Sequence, residues 1–107
     1  MIRHIVMWKL QAEAGGQTKE ANAQAVQKAL MALPDQIPAI ADFEVGLNIN
    51  GSDRAWDVVL VSTFNSQADL ETYAAHPAHQ EVVKFIRSVS AETRVVDYAL
   101  DDPLLKR

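Results

Sequence analysis

Residues 76–86, HPAHQEVVKFI, put two histidines three positions apart at the start of a helical pattern. With Pro77 as a first-turn residue and about 100° per residue, His79 shares a face with Val82, Val83 and Ile86. Gln80, Glu81, Lys84, Arg87 and Ser88 take the other arc. Burial and the positive end of the helix dipole both disfavour an imidazolium at that point. A neutral imidazole near pH 7 accepts a proton, as a general base must. Packing with one satisfied hydrogen bond is the plainer role for such a histidine, and the spacing leaves both open. His76 precedes a proline, so its plain role is to end one helix and begin the next.

Tyr73 falls on the inner side of the preceding helix, beside Leu70 and Ala74. A core tyrosine packs and finds one hydrogen bond. Its phenol can also hold a carbonyl or enolate oxygen. His4 shares one side of an N-terminal strand with Ile2, Val6 and Trp8. If that side faces the helices, His4, Tyr73 and His79 converge on one cavity, with Trp8 and Trp56 as walls. The expected catalytic pair is His79 as base and Tyr73 as oxyanion partner, with His4 orienting the ligand.

Other chemistries fit poorly. The chain has no cysteine and three histidines, and the proline break spoils a shared metal-binding face for His76 and His79. No metal site or cofactor is expected. EAGGQ lacks the spacing and the lysine of a phosphate loop. Ser62, Ser66 and Ser88 have no nucleophile-elbow context. The acidic residues read as solvated surface and caps.

The elements that position these groups follow from periodicity. Residues 2–10 alternate as a strand. Residues 18–33 are alanine-rich with an apolar stripe, capped by Thr18. Residues 42–49 alternate again, and NGSDR reads as a hairpin loop. Residues 55–64 are apolar on both sides through Val58–Val61, as in a central strand covered on both faces. Ser66-x-x-Asp69 caps a helix that stops near His76. Pro77 restarts helix to about Val89, and residues 92–100 close as a strand. The order β-α-β-β-α-β, with its second helix broken at Pro77, is α+β: a ferredoxin-like split βαβ with a four-stranded antiparallel sheet. One domain spans residues 1–100, and 101–107 form a tail.

The bulk properties agree. The chain has 107 residues, 49% of them apolar, and a net charge of −4. That balance gives no reason to expect nucleic acid as a partner. No stretch approaches the roughly 18 apolar residues that span a membrane, and MIRHIVMWKL lacks a signal peptide's layout. A cytoplasmic protein is expected. Helices cover one face of the sheet, and a second copy of the chain is expected to cover the other.

MIRHIVMWKL, EVGLN, WDVVLVSTFNSQADLETYAAHPAHQEVVKFI and VVDY together resemble the stress-responsive dimeric α/β-barrel (Dabb) family, from Ile2 to Leu100. The resemblance implies a homodimeric barrel built from two ferredoxin-like protomers. It implies little about reaction. A plant polyketide cyclase of the family works without a cofactor, with a base matching His79, an assisting tyrosine matching Tyr73 and a pocket histidine matching His4. A further pocket histidine is replaced here by Val58, which with Val83 would line the ligand site. The resulting expectation is a cofactor-free enzyme or binder for a small hydrophobic carbonyl compound. The alternatives are a non-catalytic stress-response dimer and a cofactor-independent monooxygenase.

Overall fold

In the computed structural model, which describes residues 1–100, alternation along the N-terminal strand decides what the sheet can carry. β1 (Ile2–Leu10) buries Val6, Trp8 and Leu10 on one face and turns Met7 to the other. A two-residue hairpin follows, β2 (Glu13–Ala14) and β3 (Gln17–Thr18). Its turn is Gly15-Gly16, with φ of 59° and 77°. Both angles lie in the left-handed region that glycine enters without penalty, which suits a tight hairpin turn. The EAGGQ break is therefore itself a small hairpin.

Thr18 caps α1 (Lys19–Met31), its hydroxyl accepting from the Ala21 N–H at 3.1 Å. Val26, Leu30 and Leu33 are the stripe that meets the sheet. β4 (Ile40–Leu47) and β5 (Val58–Phe64) then pair antiparallel, with an irregularity at Ile40/Asp42. The intervening loop is longer than the alternation suggests. Ile49 is fully exposed, and Asn48, Asn50 and Ser52 fold the segment on itself through side chain–backbone bonds of 2.8–3.1 Å. Residues 55–57 also stay outside β5. The Asp57 N–H bonds the Trp8 carbonyl, and its carboxylate accepts from the Leu10 N–H at 2.7 Å.

Ser66 caps α2 (Gln67–Ala75) through the Asp69 N–H. Leu70 and Tyr73 are its buried residues, whereas Ala74 is exposed. α3 (Pro77–Val89) begins at the proline, and β6 (Ser90–Ala99) closes the chain. The sheet order is β4-β5-β1-β6, antiparallel throughout. The fold is thus α+β and ferredoxin-like, with its helices on one face. They cover β4, β5 and β1 far better than β6, whose Val95 stays 60% exposed. That uncovered margin is where the site lies. The expected tail, residues 101–107, lies outside the described residues.

Candidate active site

The site starts with the broken helix. Pro77 has no N–H to donate and forces His76 into an extended conformation (φ −66°, ψ 135°). The Ala78 N–H would have closed onto the Ala74 carbonyl in an unbroken helix; instead it bonds His76 Nδ1 at 3.0 Å. His76 is therefore the N-cap of α3. The Ala74 carbonyl is left for side chains. His79 Nδ1 reaches it at 3.0 Å and Gln80 Nε2 at 2.7 Å.

This bond has a chemical consequence. A carbonyl oxygen only accepts, so His79 Nδ1 carries the proton in this hydrogen bond. In the neutral ring, Nε2 then holds the lone pair. Burial lowers the His79 pKa below the usual histidine value. The bond to Ala74 opposes this, and the nearby His4 and His76 add to it. The ring is thus held neutral, with its basic nitrogen defined by the break in the helix.

The three rings do meet. Tyr73 and His79 have centroids 4.3 Å apart, and His4 and Tyr73 are 6.2 Å apart. Phe64 and Phe43 pack against Tyr73 at 5.0 and 6.1 Å. Tyr73 is 1% exposed, and burial raises its pKa well above the usual tyrosine value. Its phenol therefore stays protonated.

A cleft of about 310 Å³ runs between α3 and the β1–β6 margin. It is bordered by His4, Val6, Trp8, His79, Val83, Ile86, Arg87, Thr93 and Val95. His4, Trp8, Val83 and His79 are thus brought together. Tyr73 sits behind the two imidazoles and does not border the cleft. Trp56 does not join them either. It lines a separate hollow of about 430 Å³ with Met7, Gly46 and Val59, and the Arg94 guanidinium lies 5.4 Å from its ring centre. Trp56 belongs to the loop before β5, beyond the alternation that would have aimed it inward. Val58 borders the same hollow and is otherwise a core residue in register with Trp8 and Leu47.

Two residues gain a place that periodicity did not give them. Asp97 is not a plain surface acid: it sits opposite His4 in the β1–β6 register, and its carboxylate accepts from His4 Nδ1 at 2.5 Å. Arg87 is not on the far arc of α3 but borders the cleft. Among the described residues, no three histidine, aspartate or glutamate side chains gather as a metal-binding group. No described helix is long and apolar enough to cross a membrane.

The lowered His79 pKa sets a pH dependence. As pH falls, the unfolded chain protonates this histidine first, near its ordinary value of about 6.5. Its contribution to stability is therefore complete above about pH 6.5. It declines as pH drops toward the lower native value and levels off below that. Urea unfolding at pH 8 and pH 5.5 is expected to show a smaller acid-side loss in His79→Gln than in the parent.

The comparisons agree with this architecture. A crystal structure of a dimeric ferredoxin-like protein from Bacteroides fragilis is 32% identical, with a TM-score of 0.82 over 92% of this chain and 95% of that one. Hydroxynitrile lyase from Passiflora edulis is 21% identical, with a TM-score of 0.78 over 94% of each chain. An antibiotic biosynthesis monooxygenase is 14% identical, with a TM-score of 0.73 over 95% of this chain and all of that one. The last two likenesses concern the fold alone. No curated protein matches the chain. The stress responsive A/B barrel domain profile matches residues 2–100, nearly all of the sequence, and the chain belongs to that family, Dabb.

Proposed function

We propose that the protein binds a small, largely apolar carbonyl compound in the α3–β1–β6 cleft and moves a proton on it without a cofactor, His79 acting as general base. The observation that carries this reading is the His79–Ala74 bond, which fixes the ring's proton on Nδ1 beside a cleft the ring itself borders. Nε2 can then take a proton α to a carbonyl, or from a hydroxyl next to one. The negative charge that develops on oxygen needs a donor. His4 Nδ1 donates to Asp97, so the neutral ring turns an acceptor Nε2 to the cleft, and a water bound there can direct its second O–H to that oxygen. Tyr73 supplies the packed wall that sets both imidazoles, and its hydroxyl is the alternative donor if the ligand opens a path to it. The hydroxynitrile lyase and monooxygenase that share the fold mark two directions for such a site.

Nuclear magnetic resonance of simple aryl ketones in deuterated water tests this directly. Faster α-proton exchange with the protein than with buffer, lost in His79→Ala, is the expected result. Exchange at the buffer rate with every ketone removes the catalytic reading and leaves a binding or structural dimer.

The working unit proposed is a homodimer through the open sheet face. That face carries Ile5, Met7, Val59, Val61, Val96 and Tyr98 by strand alternation, and Met7, Val96 and Tyr98 are 40–52% exposed. Its charges are uneven: Asp42 and Glu44 lie on the β4 edge, Arg3 and Lys9 on β1, and Arg94 on the β6 edge, where it pairs with Glu92 at 3.3 Å. A two-fold axis along the strands would lay the acidic β4 edge of one copy over the Arg94 edge of the other. The Nε of Arg3, buried and without a hydrogen-bond partner among the described residues, fits a face completed by a second chain. Sedimentation is expected to show a dimer that Glu44→Arg weakens and Glu44→Arg with Arg94→Glu recovers.

A further inference from the structure

We infer that the cleft selects an elongated amphiphile: a carbonyl at the histidine end, an apolar middle, and a carboxylate or similar anion at the far end, held by Arg87 and Thr93. The inference rests on the proposed ligand site and adds its polarity.

The cleft has two chemically different ends. Along α3, His79 and Arg87 are eight residues apart, about 12 Å of helix. Along β1, His4 and Trp8 are four residues apart, about 13 Å of strand. Thr93 sits opposite Trp8 in the β1–β6 register, and Asp97 sits opposite His4. Arg87 and Thr93 thus mark one end, and the two histidines the other. Between them the walls are aliphatic or aromatic.

Among the described residues, Arg87 is the one permanently charged side chain bordering the cleft, and no acid borders it. Among the described residues it makes no ion pair. Its place in the last turn of α3 favours a cation there through the helix dipole, which accounts for the charge but not for the cleft. A guanidinium at the same end of the cleft as a threonine can receive a planar carboxylate, offering two parallel N–H donors and an O–H. Asp97 contributes orientation. Its carboxylate, bonded to His4, disfavours a second permanent anion at the histidine end, where the oxygen charge of the proposed proton transfer is transient and hydrogen-bonded. The charged head is therefore directed to Arg87 and the neutral carbonyl to His79.

The probes are 9-oxodecanoate, long enough when extended to span the two ends, its methyl ester, and decanoate. Calorimetric titration at low salt follows each against the parent, Arg87→Gln and Thr93→Val; Arg87 is exposed, so its replacement leaves the core untouched. The acid is expected to bind the parent at least about tenfold more tightly than the ester, as a charge-assisted hydrogen bond supplies. Arg87→Gln is expected to erase that advantage and leave ester binding unchanged. Amide shifts near His4 and His79 should respond to 9-oxodecanoate more than to decanoate. Equal affinity for acid and ester, an equal loss of both in Arg87→Gln, or no binding of any probe would overturn the inference. If these results coincide with His79-dependent α-proton exchange on neutral ketones, the catalytic reading stands and only the anion site is lost.

Discussion

Tyr73→Ala is expected to destabilise the domain by about 3–5 kcal/mol, the range for emptying a large buried aromatic position. Tyr73 is 1% exposed and lies between Phe64, Phe43, His4 and His79. Its loss opens a void where α2, the sheet and the start of α3 meet, and the surrounding strands limit how far it can collapse. A domain of this size holds only about 5–15 kcal/mol in total, so the variant should unfold at much lower urea. Tyr73→Phe keeps the ring and separates packing from chemistry. It is expected to retain the fold and most of any proton-transfer rate, because the packing of both imidazoles against the ring is kept. A large rate loss in a folded Tyr73→Phe would instead return the oxyanion role to the phenol.

His79→Ala is expected to lower any proton-transfer rate by about 10²–10⁴, the usual contribution of one positioned acid–base group. The fold should tolerate the change. His79 is only half-buried, and Gln80 still bonds the Ala74 carbonyl. Rate loss without unfolding is thus the signature of a base, whereas loss of both would make His79 a structural residue. With His79 as base, the rate should stay level above about pH 6.5 and fall on the acid side, at a midpoint below the usual histidine value. A tool for the comparison is His79→Gln, which keeps a donor for Ala74 without a basic nitrogen.

Much of this site was legible in the residues because two simple periods converge on it. Alternation in β1 puts His4 and Trp8 on the helix side, and the helical period after Pro77 puts His79 beside Val83 and Ile86. What those periods miss is informative. Arg87 lies about 80° from His79, just past Val83, so a two-arc division of the helix sends it the wrong way. Asp97 was hidden for another reason: alternation gives the side of β6 it occupies, but only the register with β1 brings it to His4. Trp56 reads as a cavity wall when the apolar run of residues 55–64 is taken whole as a strand. The strand begins only at Val58, and Asp57 before it is bonded to Trp8 and Leu10 of β1. The Gly15-Gly16 hairpin escaped because its strands are too short for any period to register.

The central claim is that the helix break at Pro77 fixes His79 as a neutral ring with its basic Nε2 available at the cleft. Long-range ¹⁵N–¹H spectra of the imidazoles, recorded through a pH titration, test it most directly. His79 is expected to protonate with a midpoint below the ordinary histidine value of about 6.5, and its neutral form to carry hydrogen on Nδ1. A ring that titrates at or above that value, or one with hydrogen on Nε2, would contradict it.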